Sequence, residues 1–330
     1  MRAFYDDDAD LAHLREREVG IIGYGVQGRA QALNLRDSGV SVRIGNRSDD
    51  YVATIVADGF EARSIEAVAE LSDILLLLIP DQAHMTVYKE QIEPCLRRGG
   101  VLVVAHGYSV RFGLIKARND MDVVLLAPRM PGRQIREYYL RGSGVPAFVD
   151  VVQDATGDAW QTVLALAKGM GFTHPGVLHV PFQDEAELDL FVEQFLVPTV
   201  LKAIQVSFDE LVAAGYPAIP ALMELYASGE LGEVLWMAAR SGLYGTFQRN
   251  SSPTCQFGIA LSYPEVLDED FRRRSAEVIR RIRSGEFAAS LEQEGKAGYP
   301  RTRALWDQAE HSPLVHLERT LQQLLREESP

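Results

Sequence analysis

Cysteine is scarce in this sequence. Cys95 and Cys255 are the two among 330 residues, and they offer neither a disulfide framework nor metal-ligand spacing. Positive charge is short as well. Lys and Arg number 33 against 46 Asp and Glu, so the formal charge of -13 leaves no broad basic face for a nucleic acid. Long apolar runs are missing: the longest, "ILLLLIP" from Ile74 to Pro80, is far too short to span a bilayer. The opening "MRAFYDDDAD" is acidic where a secretion signal would be apolar. Neither a low-complexity tract nor a repeat of about 20–50 residues is visible. These absences lead to the expectation of a cytoplasmic, reduced protein with no nucleic-acid or membrane partner. With 47% hydrophobic residues, the chain is long enough for one large or two medium domains with a substantial core.

What is present begins with "VGIIGYGVQGRAQALNL", residues 19 to 35. Val19 to Ile22 read as a short buried strand, and Ala30, Ala32, Leu33 and Leu35 carry a helical apolar pattern. Between them Gly23, Gly25 and Gly28 fit the G-x-G-x-x-G spacing. Glycines let the backbone approach a pyrophosphate, and the helix N-terminus adds N–H groups and a positive dipole end. Gly23, Tyr24, Gly25, Val26, Gln27 and Gly28 are therefore candidate dinucleotide-binding residues.

The two halves of the chain differ in pattern. In the first, β-rich runs alternate with helical stretches: "VSVRIGNR" (Val40 to Arg47), "DILLLLIP", "VLVVAHG" (Val101 to Gly107), "DVVLLAPRMPG" (Asp122 to Gly132) and "GVPAFVDVVQD" (Gly144 to Asp154). Continuous apolar runs mark strands covered on both faces, and their alternation with helices implies a doubly wound parallel sheet. From Pro181 onward helical patterns replace strands. They include a long stretch interrupted at Pro198, and further ones over Pro220 to Arg240, Asp268 to Arg283 and Leu314 to Leu325. The expected organisation is α/β: a Rossmann domain over residues 1–180, then an all-α domain over 181–330.

In open parallel sheets, ligands bind beyond the carboxyl ends of the strands. "IPDQAH", "AHGYSVRFG" and "APRMPGRQIREYYLRG" fall there, so Pro80 and His106 are expected to face the nicotinamide end of the cofactor, with Asp81 beside them. A histidine at such a strand end reads equally well as structural or catalytic. In the helical half, Asp189 and Glu193 stand at i and i+4 on one helix face. They suit either Mg²⁺ ligation or a solvated acidic surface, and spacing alone does not choose.

With these residues in place, the sequence resembles ketol-acid reductoisomerase in its short form. The likeness spans nearly the whole chain, through "GIIGYGVQGRAQALNLRDSGV", "IPDQAH", "AHGYSVRFGLI", "GVPAFVDVVQDATG", "DLFVEQ", "LVAAGYP" and "SGEFAASLEQEGKAGYPRTRALWDQAEHSP". The resemblance implies Mg²⁺-assisted alkyl migration on a 2-acetohydroxy acid coupled to reduction by NADPH or NADH. It implies an active site between the Rossmann sheet and helices, and homodimers with intertwined helical domains. His106 falls at the family's active-site histidine, Asp189 and Glu193 at its metal-ligand pair, and Glu224 at the first of two further glutamates.

Departures cluster in the isomerising parts. Ser228 stands where the family has its second glutamate. Arg129, in "APRMPGR", replaces a lysine, and Arg249, in "FQRNSSPTCQFG", aligns with a substrate-binding serine. Losing a carboxylate ligand lowers the charge of the metal cage, and a guanidinium differs from an ammonium in size and donor geometry. Arg129 and Arg249 would instead grip a substrate carboxylate. Reduction needs less: a nicotinamide, a polarised C=O or C=N, and a proton donor, here His106. Asp189, Glu193 and Glu224 would retain one Mg²⁺ or act as acid–base groups.

For the nucleotide, Arg47 and Ser48 in "IGNRSDDY" suit a 2′-phosphate, whereas Asp49 and Asp50 repel one, and the balance favours NADH. The expectation is an NAD(P)H-dependent oxidoreductase that reduces a carbonyl or imine of a small carboxylated substrate, with isomerisation weak or lost. The alternatives are a working Mg²⁺-dependent ketol-acid reductoisomerase of valine and isoleucine synthesis, with Glu230 or Glu233 substituting after a register shift, and a catalytically silent nucleotide-binding protein.

Overall fold

A computed structural model describes residues 1–266 and 268–325. The end of the expected helical domain, 326–330, lies outside the described residues. The chain divides into two compact units, residues 1–188 and the chain from Asp189 onward.

The first unit holds one nine-stranded sheet. Its strands are β1 (Ala3–Phe4), β2 (Val19–Ile22), β3 (Val42–Gly45), β4 (Ala62–Arg63), β5 (Ile74–Leu77), β6 (Val101–Val104), β7 (Asp122–Pro128), β8 (Ala147–Gln153) and β9 (Val177–His179). Their order is β1-β9-β8-β7-β6-β5-β2-β3-β4. From β4 to β7 every pairing is parallel. At the other edge the sheet turns mixed: β7 pairs antiparallel with β8, β8 parallel with β9, and β9 antiparallel with β1. The strand expected over Gly144 to Asp154 thus exists, but it runs against its neighbour. The short strands β1 and β4, at the two edges, and β9, between β1 and β8, carry too few residues for a periodicity signal and were not among the expected elements.

Why the central strands read as unbroken apolar runs is visible in their packing. Ile21, Ile74, Leu76 and Val103 enter one core cluster, while Ile22, Leu75, Leu77 and Leu102 enter another. Successive side chains point to opposite faces, so two-sided burial demands apolar residues at every position. Helices α1 (Val26–Asp37), α2 (Tyr51–Ala57), α3 (Ile65–Leu71), α4 (Asp81–Val87), α5 (Tyr108–Arg111), α6 (Gly132–Leu140) and α7 (Ala159–Gly169) connect the strands.

Beyond β9 no strand occurs among the described residues. A continuous helical run covers Phe182–Ala213: α8 (Phe182–Phe191), a π-helical turn (Val192–Leu196) and α9 (Val197–Ala213). Pro198 sits in the first turn of α9, where its missing N–H costs little, and the wide turn precedes it. The stretch expected over Pro220 to Arg240 is divided into α10 (Ala218–Leu222), a second π turn (Met223–Ala227) and α11 (Glu230–Ser241). Gly229, at φ +84°, breaks it. Then follow α12 (Leu243–Asn250), α13 (Pro253–Ser262), α14 (Glu269–Arg283), α15 (Glu286–Lys296), α16 (Pro300–Glu310) and α17 (Pro313–Leu325). Phe208, Ala221, Leu222 and Leu321 form a small core in this unit. By contrast Leu196, Val200, Trp236, Phe257, Leu261 and Trp306 are exposed.

Candidate active site

The glycine turn lies between β2 and α1. Gly23 has φ +97°, and a Cβ there would meet the Leu78 carbonyl oxygen at 2.7 Å. A Cβ on Gly28 would lie 1.9 Å from the Gly23 carbonyl oxygen, so only glycine lets the first turn of α1 pack onto the loop. Around Gly25, at the N-cap of α1, nothing lies within 4 Å of the Cβ position, leaving space where a pyrophosphate would approach. These residues fit a dinucleotide. Val26 is exposed at the helix start, with its carbonyl packed against Gly132. Gln27 donates from Nε2 to the Met130 carbonyl at 3.1 Å, tying the turn to the loop after β7. Tyr24 contributes only backbone to this surface. Its ring is buried, and its hydroxyl donates to Asp58 at 3.0 Å; burial, with that carboxylate's help, pushes the phenol up.

The loop after β3 is ordered by Asn46, a residue that the sequence reading did not single out. Its Oδ1 accepts from the Tyr24 N–H at 3.3 Å, and its Nδ2 donates to Asp49 at 2.8 Å. Asp49 also accepts from Arg47 Nε at 2.7 Å, which lowers its carboxyl from the usual range. Arg47 is therefore already paired with a carboxylate. Ser48 and Asp50 are exposed beside it.

At the carboxyl edge of the sheet Ile22 lies opposite Leu77, and Leu77 opposite Val104, so the loops after β2, β5 and β6 leave together. Exposed Pro80 caps α4, and Asp81 opens it. Asp81 Oδ2 accepts a hydrogen bond from His106 Nδ1 at 3.0 Å. This places Asp81 and His106, both cofactor candidates, in one cluster with Pro80. Next to it, Glu185 of α8 is wholly buried. It accepts the Gly107 N–H on Oε2 at 2.6 Å and Arg129 Nη2 on Oε1 at 2.9 Å. A Cβ on Gly107 would lie 2.3 Å from the Phe182 carbonyl oxygen, which explains the glycine after His106. The Arg129 guanidinium also lies 5.0 Å from the Phe148 ring centroid. Arg129, expected to hold a substrate carboxylate, is thus engaged by a carboxylate of its own chain. Glu185 escaped the sequence reading because an acid in an acidic segment gives no sign of burial.

In the second unit Asp189 and Glu193 stand one turn apart, Glu193 within the first π turn. Glu224 and Ser228 lie on and just after the second. Mg²⁺ commonly takes one or two carboxylates and keeps several waters, so Asp189 and Glu193 suit one such ion. No group of three or more His, Cys, Asp or Glu side chains gathers to hold a metal among the described residues, so Glu224 does not join the pair in such a set. Glu230 and Glu233 begin a separate helix after Gly229, which breaks the register that would have let either replace the acid missing at Ser228. Arg249 is exposed and donates to the Ser241 carbonyl at 3.0 Å.

Two family descriptions match the sequence: "Acetohydroxy acid isomeroreductase, NADPH-binding domain" over residues 13–176 and "Ketol-acid reductoisomerase, C-terminal domain" over residues 182–327. A ketol-acid reductoisomerase (NADP(+)) of Pyrobaculum aerophilum is 39% identical over 98% of both chains. One of Methanocaldococcus jannaschii is 38% identical over 92% of both. Among solved structures, an NADH-preferring ketol-acid reductoisomerase from an uncultured archean superposes with a TM-score of 0.92 at 31% identity, covering 99% of this chain and 98% of that one.

Proposed function

The chain belongs to the ketol-acid reductoisomerase family and is an NAD(P)H-dependent oxidoreductase of it; from that premise we propose that it carries out the complete family reaction on a 2-acetohydroxy acid. The observation behind this reading is the likeness to enzymes of that name, sustained over 98% of both chains. When bound, the nicotinamide supplies a hydride and Mg²⁺ supplies Lewis acidity. The chain's own residues do the rest. Gly23, Gly25 and Gly28 admit the pyrophosphate, His106 delivers a proton to the carbonyl oxygen being reduced, and Asp189 and Glu193 hold the ion.

A second reading is a reductase whose migration step is weakened or lost. Two features favour it: Ser228 supplies no carboxylate, and Arg129 is paired with buried Glu185. Oxidation of NADH and NADPH with 2-acetolactate and with 3-hydroxy-3-methyl-2-oxobutyrate, each with and without Mg²⁺, separates the two. The second compound is the already-migrated species. Mg²⁺-dependent turnover of both supports the complete reaction; turnover of the second alone leaves reduction without migration.

The cofactor reading favours NADH. Arg47, the cation that would meet a 2′-phosphate, is paired with Asp49, and exposed Asp50 adds a further negative charge. We assign the exposed apolar residues of the second unit to a homodimer interface. The run Phe182–Ala213 is long and apolar enough to cross a membrane, and its most apolar stretch is largely unburied. Asp184, Glu185, Glu187, Asp189 and Glu193 crowd its first half, however, and carboxylates are costly in hydrocarbon. A second copy covers such a face without that cost.

A further inference from the structure

Beside His106 lies a polar chain that the reaction described above does not use. His84, on the same turn of α4 as Asp81, is 2% exposed. Its Nε2 is 2.9 Å from the Ile79 carbonyl oxygen and its Nδ1 is 2.6 Å from Ser109 Oγ. A carbonyl oxygen can only accept, so Nε2 must carry hydrogen. The neutral ring therefore presents a lone pair at Nδ1, and the buried Ser109 hydroxyl donates to it. Asp81 Oδ1 stands 3.6 Å from that same Nδ1, beyond hydrogen-bond distance. Burial holds the His84 pKa below the ordinary imidazole value, which keeps the ring from gaining a second N–H that would compete for Asp81.

We propose that Asp81 is a positioning residue for His106. Its carboxylate takes the Nδ1 hydrogen, and the neutral His84–Ser109 pair behind it leaves that carboxylate undivided. The inference rests on the reading of His106 as proton donor. In the reduction, hydride adds to the carbonyl carbon as the C=O π pair moves to oxygen. That oxygen takes the Nε2 proton of the His106 imidazolium, and the ring is left as the neutral Nδ1–H tautomer. Free imidazole side chains favour the other tautomer, so Asp81 stabilises the form that the proton transfer leaves behind.

Nitrogen NMR of the full-length protein with labelled histidine tests this directly, with the His106 signal assigned by its loss in His106→Asn. The neutral His106 ring should carry its hydrogen on Nδ1 and move it to Nε2 in Asp81→Ala, while Asp81→Asn, which keeps an acceptor oxygen, should retain the Nδ1 form. The kcat of Asp81→Ala on 3-hydroxy-3-methyl-2-oxobutyrate should fall about 100-fold, within the range of a general acid, and that of Asp81→Asn by less. A His106 ring that is already Nε2–H in the parent protein, or that does not change in Asp81→Ala, overturns the assignment whatever the activity. Full kcat in His106→Asn instead overturns the reading of His106 as donor, so the two failures are told apart.

Discussion

Glu185 shows how much one buried charge can organise. One carboxylate fixes the loop after β6 through the Gly107 N–H and the loop after β7 through Arg129. Arg129→Leu would leave that charge buried without its guanidinium. The cost should fall at the low end of about 3–5 kcal/mol, because Arg129 keeps some solvent, and Arg129→Lys should recover part of it in urea unfolding. Gly107→Ala should destabilise by about 1–3 kcal/mol and lower kcat, since its methyl collides with the Phe182 carbonyl. His84 gives a pH dependence of definite sign. Its folded pKa is depressed by burial below the 6.5 of an ordinary histidine. The unfolded chain therefore takes up a proton that the folded ring refuses, so this contribution is whole above pH 6.5 and is lost as pH falls below it. Urea midpoints compared at pH 7.5 and 5.5 should fall less in His84→Gln than in the parent protein. The places of His106 and the three glycines just beyond strand ends were legible from sequence, because the apolar runs before them mark where the strands stop. Glu185, His84 and Asn46 were not, since their roles depend on partners up to 78 residues away.

Among elements, the central strands declared themselves because burial on both faces leaves no polar position in them. The short strands β1, β4 and β9 did not: two or three residues held by neighbours show no period. The helical unit was legible in kind but not in detail. Two π turns, Val192–Leu196 and Met223–Ala227, carry Glu193 and Glu224, and sequence spacing does not distinguish a wide turn from an ordinary one. Wide turns occur often at functional positions because they re-aim a side chain without breaking the helix. On the proposal that the β3–α2 loop favours NADH, Asp50→Ser should move the kcat/KM ratio toward NADPH by about tenfold, or about 1.4 kcal/mol. An unchanged ratio would remove Asp50 from the selection.

For the whole molecule, the many large apolar residues exposed on the second unit are what the homodimer proposal has to cover. Light scattering should give at least twice 36.6 kDa, and Val200→Glu, which places a charge in the exposed run of α9, should lower that mass. A monomer at micromolar concentration would end the second-copy assignment. The sheet's mixed edge has its own consequence. Ala3 and Phe4 pair with Leu178 and Val177, so the first strand of the unit is completed by its last. During synthesis that edge stays open until β9 has left the ribosome, and the pairing spans almost the full unit, the kind of contact that forms late. Until then β9's other neighbour, β8, has no lid, and an exposed edge of this sort recruits foreign strands. The opening residues are thus a clasp over β9, and a chain shorn of them should keep that strand's edge open and aggregate, while its glycine turn, at the opposite half of the sheet, still forms.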